Sequence, residues 1–285
     1  MSHQEAVQAN IKAFTDADRY DNMEPMQTFS SLFARTLLQR EITFGGTFGD
    51  LSKPNSGITT DGVEGNNLDG KKVMEFACGT GLVSRKLIPH MSKGSQLDGV
   101  DINDVFLKRY DEVTKPLSRK QGVEVNSYKV DILDPEMAKT VAQFEGQYDV
   151  IFCTISYHHL HNYEQVTAKL ATFLRPGGYL YIIDFYNPDV EADLERESDA
   201  YAVQHMGGLK KSALHTTLTA AGLENINVQH LFTVNSWFLP DFIKTHQTKS
   251  QIEALAKGEL ESKESFLGTA YAVPAEFVIA IGQAK

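Results

Sequence analysis

The chain predicts an α/β fold: an open sheet with helices on both faces, a helical cap at the N-terminus and a helical insert before the last strand. Two observations carry this expectation. From residue 71 onward, short apolar runs alternate with longer amphipathic ones, the signature of a parallel sheet covered by helices. Before residue 40, apolar residues recur at threes and fours, the helical period. A chain of 285 residues with 42% hydrophobic and 22% charged residues has material for one elaborated domain or two small ones.

The first stretch, residues 4–40, places Ala6, Ile11 and Phe14 and then Phe29, Leu32, Phe33, Leu37 and Leu38 on helical faces. Residues 43–70 read as loop, because Gly45, Gly46, Gly49, Gly57, Gly62, Gly65 and Gly70 fall among Asn, Ser, Thr and Asp. Strands are then predicted over 73–76, 96–100, 123–130, 148–154 and 179–183, with helices over 82–91, 103–117, 135–144 and 163–174 between them. The last of these helices ends at Pro176-Gly177-Gly178, where proline lacks a donor and glycine permits the turn. A helix over 211–221 closes at Gly222, and two final strands follow over 224–234 and 275–281. Between them, residues 235–271 read as a helical insert bearing Trp237, Phe238 and Phe242. The domain division is a cap and loop over 1–70 and a core over 71–285.

Composition removes several function classes. Twenty-seven Lys and Arg against 37 Asp and Glu give a net charge of −10, and no basic run exceeds two residues; a nucleic-acid partner would need a surplus of cations. No apolar run approaches the ~20 residues that cross a bilayer, so no membrane partner is expected. The start MSHQEAVQAN lacks the apolar stretch of a secretory signal. Two cysteines, Cys78 and Cys153, make no disulfide framework and fit a reducing, cytoplasmic setting.

The most specific stretch runs Val73-Met74-Glu75-Phe76-Ala77-Cys78-Gly79-Thr80-Gly81-Leu82. A strand leads into a turn with Gly79 and Gly81, and a helix begins at once. Missing Cβ atoms let backbone approach a ligand, and the helix start offers unpaired N–H groups. Twenty residues past Gly81, at the tip of the next strand, Asp101 is placed to accept hydrogen bonds from ribose hydroxyls. A dinucleotide fold would want G-x-G-x-x-G, but Ser84 stands where the third glycine belongs. Glu75 at the strand end would repel a diphosphate and attract a cation. That charge logic favours S-adenosylmethionine, whose amine and sulfonium are positive.

In these motifs the sequence resembles the class I S-adenosylmethionine-dependent methyltransferases, from about Lys71 to the C-terminus. Glu75 to Gly81 is similar to the family's E/D-x-G-x-G-x-G, with Ala77 at the first glycine position; alanine keeps the backbone path open only if its φ is negative there. The resemblance implies a Rossmann-like seven-stranded sheet with the last strand antiparallel. It also implies Asp101, with Ile102 beside it, on the ribose, and Asp131 and Ile132 at the adenine. Cys153, ending the Tyr148–Thr154 motif, would offer a carbonyl to the methionine amine. Leu174 to Leu180 and Ala221-Gly222-Leu223 match the links into the fifth and sixth strands. Tyr20, in Arg19-Tyr20-Asp21, would reach the cofactor carboxylate.

On the substrate side, Tyr157-His158-His159-Leu160-His161 follows the fourth strand, where open α/β sheets place their ligands. Tyr157 and His158 are the catalytic candidates, His158 as a general base because imidazole titrates nearest neutrality. The alternative is that one histidine caps a helix and another packs. No metal is expected, since no carboxylate or thiol within H-H-x-H completes a ligand set. Phe185, Tyr186, Trp237 and Phe242 are the candidates for an aromatic pocket, which suits a small cyclic or planar substrate. The layout is similar to small-molecule methyltransferases of secondary metabolism, many of them fungal, among them the thiol S-methyltransferases that cap gliotoxin-type dithiols. Thiol and oxygen acceptors stay rivals, with thiol ahead; a cofactor-binding partner subunit without its own chemistry is the reading from another class. The sequence leaves the oligomeric state open.

Overall fold

The computed structural model describes residues 2–39, 41–48, 67–194, 202–265 and 267–285. Helix α1 (His3–Ala13) starts at a capping box in which Ser2 and Glu5 satisfy each other's backbone N–H groups. Helix α2 (Ala17–Asp21) is capped by the Asp16 carboxylate, 2.8 Å from the Arg19 nitrogen. Helix α3 (Glu24–Leu38) buries Phe29, Leu32, Phe33, Leu37 and Leu38, the apolar stripe predicted for it. Phe29 and Phe33 meet Phe277 of the sheet edge-on, with centroids 4.8 and 5.2 Å apart.

The strands are β1 (Gly46–Phe48), β2 (Lys72–Phe76), β3 (Gln96–Asp101), β4 (Glu124–Lys129), β5 (Tyr148–Thr154), β6 (Leu174–Phe185), β7 (Glu224–Phe238), β8 (Ser262–Ser265) and β9 (Gly268–Gln283). Their order is β1-β7-β9-β6-β5-β2-β3-β4, with β8 paired to β9. β9 runs antiparallel to β6 and β7, and the remaining pairs along that path are parallel. The expected seven strands, last one antiparallel, are therefore present, and β1 and β8 are additions. β1 falls inside the glycine-rich stretch expected to be loop; it is only 3 residues long and is held by pairing to β7. Residues 49–66 of that stretch lie outside the described residues.

Helices α4 (Ser84–Leu87), α5 (Asp104–Gln121), α6 (Ala138–Val141), α7 (Tyr163–Phe173) and α8 (Lys211–Ala220) connect the strands, and α9 (Pro240–His246) and α10 (Lys249–Lys257) follow β7. Alternate strand residues feed two cores. Val73, Val150, Phe152 and Ile183 join α3 and α4 on one face, while Met74, Ile151, Cys153 and Ile182 join α7 and α8 on the other. None of the described helices is long and apolar enough to cross a membrane.

One boundary expectation is corrected. Residues 235–238 extend β7 and 268–271 begin β9, pairing Asn235 with Pro274 and Phe238 with Tyr271. The insert is thus α9, α10 and β8, and Trp237 and Phe238 lie on a strand. Their burial alternates, Val234, Ser236 and Phe238 in and Asn235 and Trp237 half-buried; the polar Asn235 and buried Ser236 disguise a strand period.

A second correction concerns Ala77. It has φ 54°, followed by Gly79 at 54° and Gly81 at 79°, so this alanine adopts the left-handed conformation instead of the negative φ expected for it. For an L-residue that conformation costs roughly 1–2 kcal/mol. Gly81 has a packing reason as well, since a Cβ there would come within 2.8 Å of the Tyr110 ring.

The cap is fastened through one buried carboxylate. Asp21, 3% exposed, accepts from the Thr80 hydroxyl at 2.5 Å, from Arg85 at 3.2 Å and from Arg109 at 3.0 Å. It therefore ties α2 to the turn after β2 and to helices α4 and α5.

Two stability predictions follow from these contacts. Asp21→Ala should lower the unfolding free energy by roughly 3 kcal/mol in urea titration, because it removes the buried carboxylate on which Thr80, Arg85 and Arg109 converge. A loss under about 0.5 kcal/mol would show the network to be ornamental. Ala77→Gly should raise stability by up to about 1 kcal/mol, the strain relief less the entropy cost of glycine; a clear drop in melting temperature would contradict it.

Candidate active site

A cavity of about 440 Å³ opens at the carboxyl ends of the strands, roofed by α1 and α2 and floored by the turn after β2. The sheet order reverses between β2 and β5, so the cavity sits at the topological switch point, where such sheets take their ligands. Its volume is that of a small-molecule site.

One end is acidic. At the tip of β3, Asp101 accepts from the Gly79 N–H at 2.8 Å and the Asn103 N–H at 2.9 Å, which fixes the carboxylate beside the glycine turn. Glu75, on β2, is buried and accepts from the Ser84 hydroxyl, itself 3.1 Å from the Tyr110 hydroxyl. Burial pushes the Glu75 carboxyl up to about 8 and also raises Asp101. Among the described residues lining the cavity there is no Lys or Arg. A buried and a half-buried acid without a cation fit a positively charged ligand and oppose a diphosphate. Tyr20 closes this end, its ring 5.4 Å from Phe106 and 6.2 Å from Phe14.

Of the expected cofactor residues, Tyr20, Glu75, Ala77, Gly79, Asp101 and Ile102 line the cavity. Four do not. Gly81 faces Tyr110 of α5. Ile132 and Cys153 sit in the α7–α8 core, 5% and 1% exposed. Asp131 is engaged by His3 of α1, whose Nε2 lies 2.8 Å from its Oδ2. The roof helix occupies the carboxylate that the resemblance assigns to adenine.

The other end is aromatic and rich in histidine. Ile155, just past β5, has φ 42°, an unusual conformation for a β-branched residue. It turns the chain so that His158 and His159 face the cavity. His158 is 2% exposed. Its Nδ1 lies 2.6 Å from Asp184 Oδ1, and its backbone N–H donates to Asp184 Oδ2 at 3.1 Å. Because a carboxylate only accepts, Nδ1 carries the proton and Nε2 presents a lone pair. Burial pushes both His158 and His159 down to about 3 and raises Asp184 to about 6. Phe185 lies 5.3 Å from the His158 ring, and Phe242 stacks on His246 at 4.1 Å.

Three expectations on this side are corrected. Tyr157 is fully buried with its hydroxyl 3.1 Å from Thr167, so it belongs to the core under α7. Tyr186 packs outside the cavity against His230, at 5.6 Å, and beneath Lys211. Trp237 lies on β7 with the Lys263 ammonium 4.4 Å from its ring. Phe185 and Phe242 do line the cavity, as does His158. Sequence reasoning missed Asp184, Asp21 and His246. An acid at the tip of the apolar strand 179–183 was a readable signal for Asp184; His246, on a helix far along the chain, gave none.

A family model described as a methyltransferase domain matches residues 74–180. An uncharacterised methyltransferase of Schizosaccharomyces pombe is 25% identical over 251 residues, covering 81% of this chain and 84% of the relative. A ubiquinone biosynthesis O-methyltransferase of Bordetella pertussis is 29% identical over 115 residues, which are 40% of this chain and 43% of that protein. Among solved structures, the 1,6-didemethyltoxoflavin N1-methyltransferase of Burkholderia thailandensis, solved with 1,6-didemethyltoxoflavin and S-adenosylhomocysteine, aligns over 100% of this chain and 91% of its own. The TM-score is 0.52 at 14% identity, a likeness of fold. Residues 74–180 therefore match a methyltransferase domain, and over most of its length the chain is similar to a methyltransferase.

Proposed function

We propose that this enzyme methylates a small, largely apolar acceptor inside the cavity, and that the acceptor atom is a thiol sulfur. The observation that carries the reading is the continuity of one cavity from an acid-bearing glycine turn without cations to an aromatic end with neutral imidazoles. S-adenosylmethionine brings an activated methyl group on a sulfonium to the first end. Gly79 and Ala77 give it backbone to lie against, Asp101 holds the ribose, and Glu75 faces the positive amino acid part. Phe185 and Phe242 bind the acceptor's apolar body, excluding water and aligning it for in-line transfer, an effect that can amount to about 7–11 kcal/mol.

His158 is the residue we assign to the acceptor heteroatom, with Asp184 fixing its ring as a positioning residue. A buried imidazole held far below its ordinary range is a poor acceptor of a whole proton. The acceptor must therefore part with its own proton readily, which a thiol near 8.5 does better than a phenol near 10. An oxygen acceptor is the second reading, favoured by the match to the Bordetella O-methyltransferase.

Incubation with labelled methyl donor and a panel of aryl and alkyl thiols, phenols and carboxylates tests this directly. Label is expected on sulfur first, and Asp101→Ala should weaken S-adenosylhomocysteine binding at least 10-fold by calorimetry. Preferred labelling of phenols would overturn the thiol assignment; no turnover on any nucleophile with the cofactor bound would favour a non-catalytic role.

Glu75 gives a prediction with opposite signs for stability and binding. Its carboxyl rises from 4.5 to about 8 on folding, so the fold disfavours the ionised form. That penalty is absent below pH ~4.5 and complete above pH ~8. Glu75→Gln should thus raise the melting temperature relative to wild type at pH 8–9 and leave it unchanged near pH 4, while weakening S-adenosylmethionine binding. Equal melting temperatures at pH 9 would remove the claim.

A further inference from the structure

His158, His159 and His246 each offer one ring nitrogen to a common point, with these atoms all within 4.8 Å of one another. Their ring centroids lie 4.0, 5.2 and 6.1 Å apart. The tautomers follow from the hydrogen bonds. His158 Nδ1 faces the Asp184 carboxylate at 2.6 Å, and His159 Nδ1 faces the Ala202 carbonyl at 3.2 Å. His246 Nδ1 faces the Phe242 carbonyl at 3.2 Å and the Thr245 hydroxyl at 2.7 Å. Carboxylates and carbonyls only accept, so all three rings carry their proton on Nδ1 and leave Nε2 as the bare lone pair, and all three residues line the cavity. Among the described residues, His158 Nε2 is fully buried and has no hydrogen-bond partner. A buried acceptor left so costs about 1–3 kcal/mol, and converging lone pairs add repulsion.

We propose that these three imidazoles form a binding site for one divalent transition-metal ion of the zinc type, with an open fourth position facing the acceptor end of the cavity. The donor chemistry selects the ion. Neutral imidazole nitrogens suit zinc and its neighbours, whereas magnesium and calcium require oxygen ligands that this cluster does not supply. The ring orientation also fits. A metal-bound histidine characteristically donates its other N–H to a carboxylate or backbone carbonyl, and each of these three does so. Asp184, wholly buried, stands directly behind the His158 ring. The sequence expectation of no metal rested on H-H-x-H lacking a further donor. The structure supplies that donor from α9, while His161 stands outside the cluster.

This site deepens the methyl-transfer reading and rests on it for its purpose. The acceptor S–H or O–H gives up its proton to solvent as its heteroatom takes the open position. The heteroatom's electron pair then forms the new bond to the methyl carbon, and the C–S bond of the sulfonium breaks with its pair going to sulfur. No redox partner is involved. His158 then acts on the acceptor through the ion.

The test uses the untagged full-length protein, stripped with a chelator and titrated with zinc chloride by calorimetry and with cobalt(II) by absorption spectroscopy. One equivalent per chain and the intense visible bands of tetrahedral cobalt are expected. His246→Gln should weaken binding at least 10-fold and bleach those bands, and Asp184→Asn should weaken it about 10–100-fold through the His158 ring. S-adenosylhomocysteine binding, measured on the same chelated sample, should be unchanged. Retained cofactor binding without stoichiometric metal in the folded wild type overturns this proposal alone. Metal binding that survives His246→Gln overturns it too, and loss of cofactor binding in the wild type would instead strike the methyl-transfer reading. Circular dichroism controls the fold of the variants, and the wild-type stoichiometry decides even if a variant does not fold.

Discussion

The buried Asp21 carboxylate is the contact on which the rest of the site depends. Without it, the charged tie left to α2 among the described residues is the exposed Asp18–Arg109 pair at 3.7 Å, and the turn after β2 would form one wall of an open cleft. With Thr80, Arg85 and Arg109 all donating to it, α2 is locked over the turn, and Tyr20, the preceding residue, is carried against Phe106. A second tie, His3 to Asp131, places the start of α1 over the tip of β4. Closure matters chemically because both ends of the cavity work by having little water. The acids become strong partners for a cation only when desolvated, and the imidazoles keep their lone pairs only when burial keeps protons off them.

The two ends are complementary in charge to the two partners of a methyl transfer. In the proposed transfer the positive donor would face Glu75 and Asp101, both held above the ordinary carboxylate range by burial. In the same proposal the acceptor would be most negative once its proton has left and would face a cluster that can stabilise an anion, but only through hydrogen bonding or a bound ion. Asp184 sits behind that cluster, wholly buried, and accepts at once from the His158 ring, the His158 backbone and the Phe185 backbone. So many donors on one carboxylate fix the imidazole's direction as well as its tautomer.

Strain is concentrated at the same place. Ala77 and Ile155 take left-handed conformations at the ends of β2 and β5, the two neighbouring strands that flank the switch point. Neither residue favours that conformation, and each turns the chain sharply as it enters the cavity wall. The surrounding sheet, with β2 paired on both sides and β5 between β2 and β6, is rigid enough to hold them there.

Much of the architecture was legible in the sequence. Alternating runs after residue 71 located β2 to β5 nearly to the residue, because buried parallel strands are short and apolar, whereas β6 begins at Leu174, five residues before the expected 179, and runs through Pro176 and Gly177. The glycine turn and Asp101 were equally readable, since local backbone chemistry places them. What the sequence did not decide were contacts between distant segments. His246 joins His158 and His159 only because α9 folds back across β6, and Asp131 turns to His3 only because α1 crosses its strand. Likewise, Tyr157, Tyr186 and Trp237 have the chemistry of pocket residues, but a helix face and strand alternation sent them elsewhere. Periodicity and turn chemistry are written in neighbouring residues; which lone pairs meet in a cavity is settled by packing alone, where long-range burial outweighs any local preference.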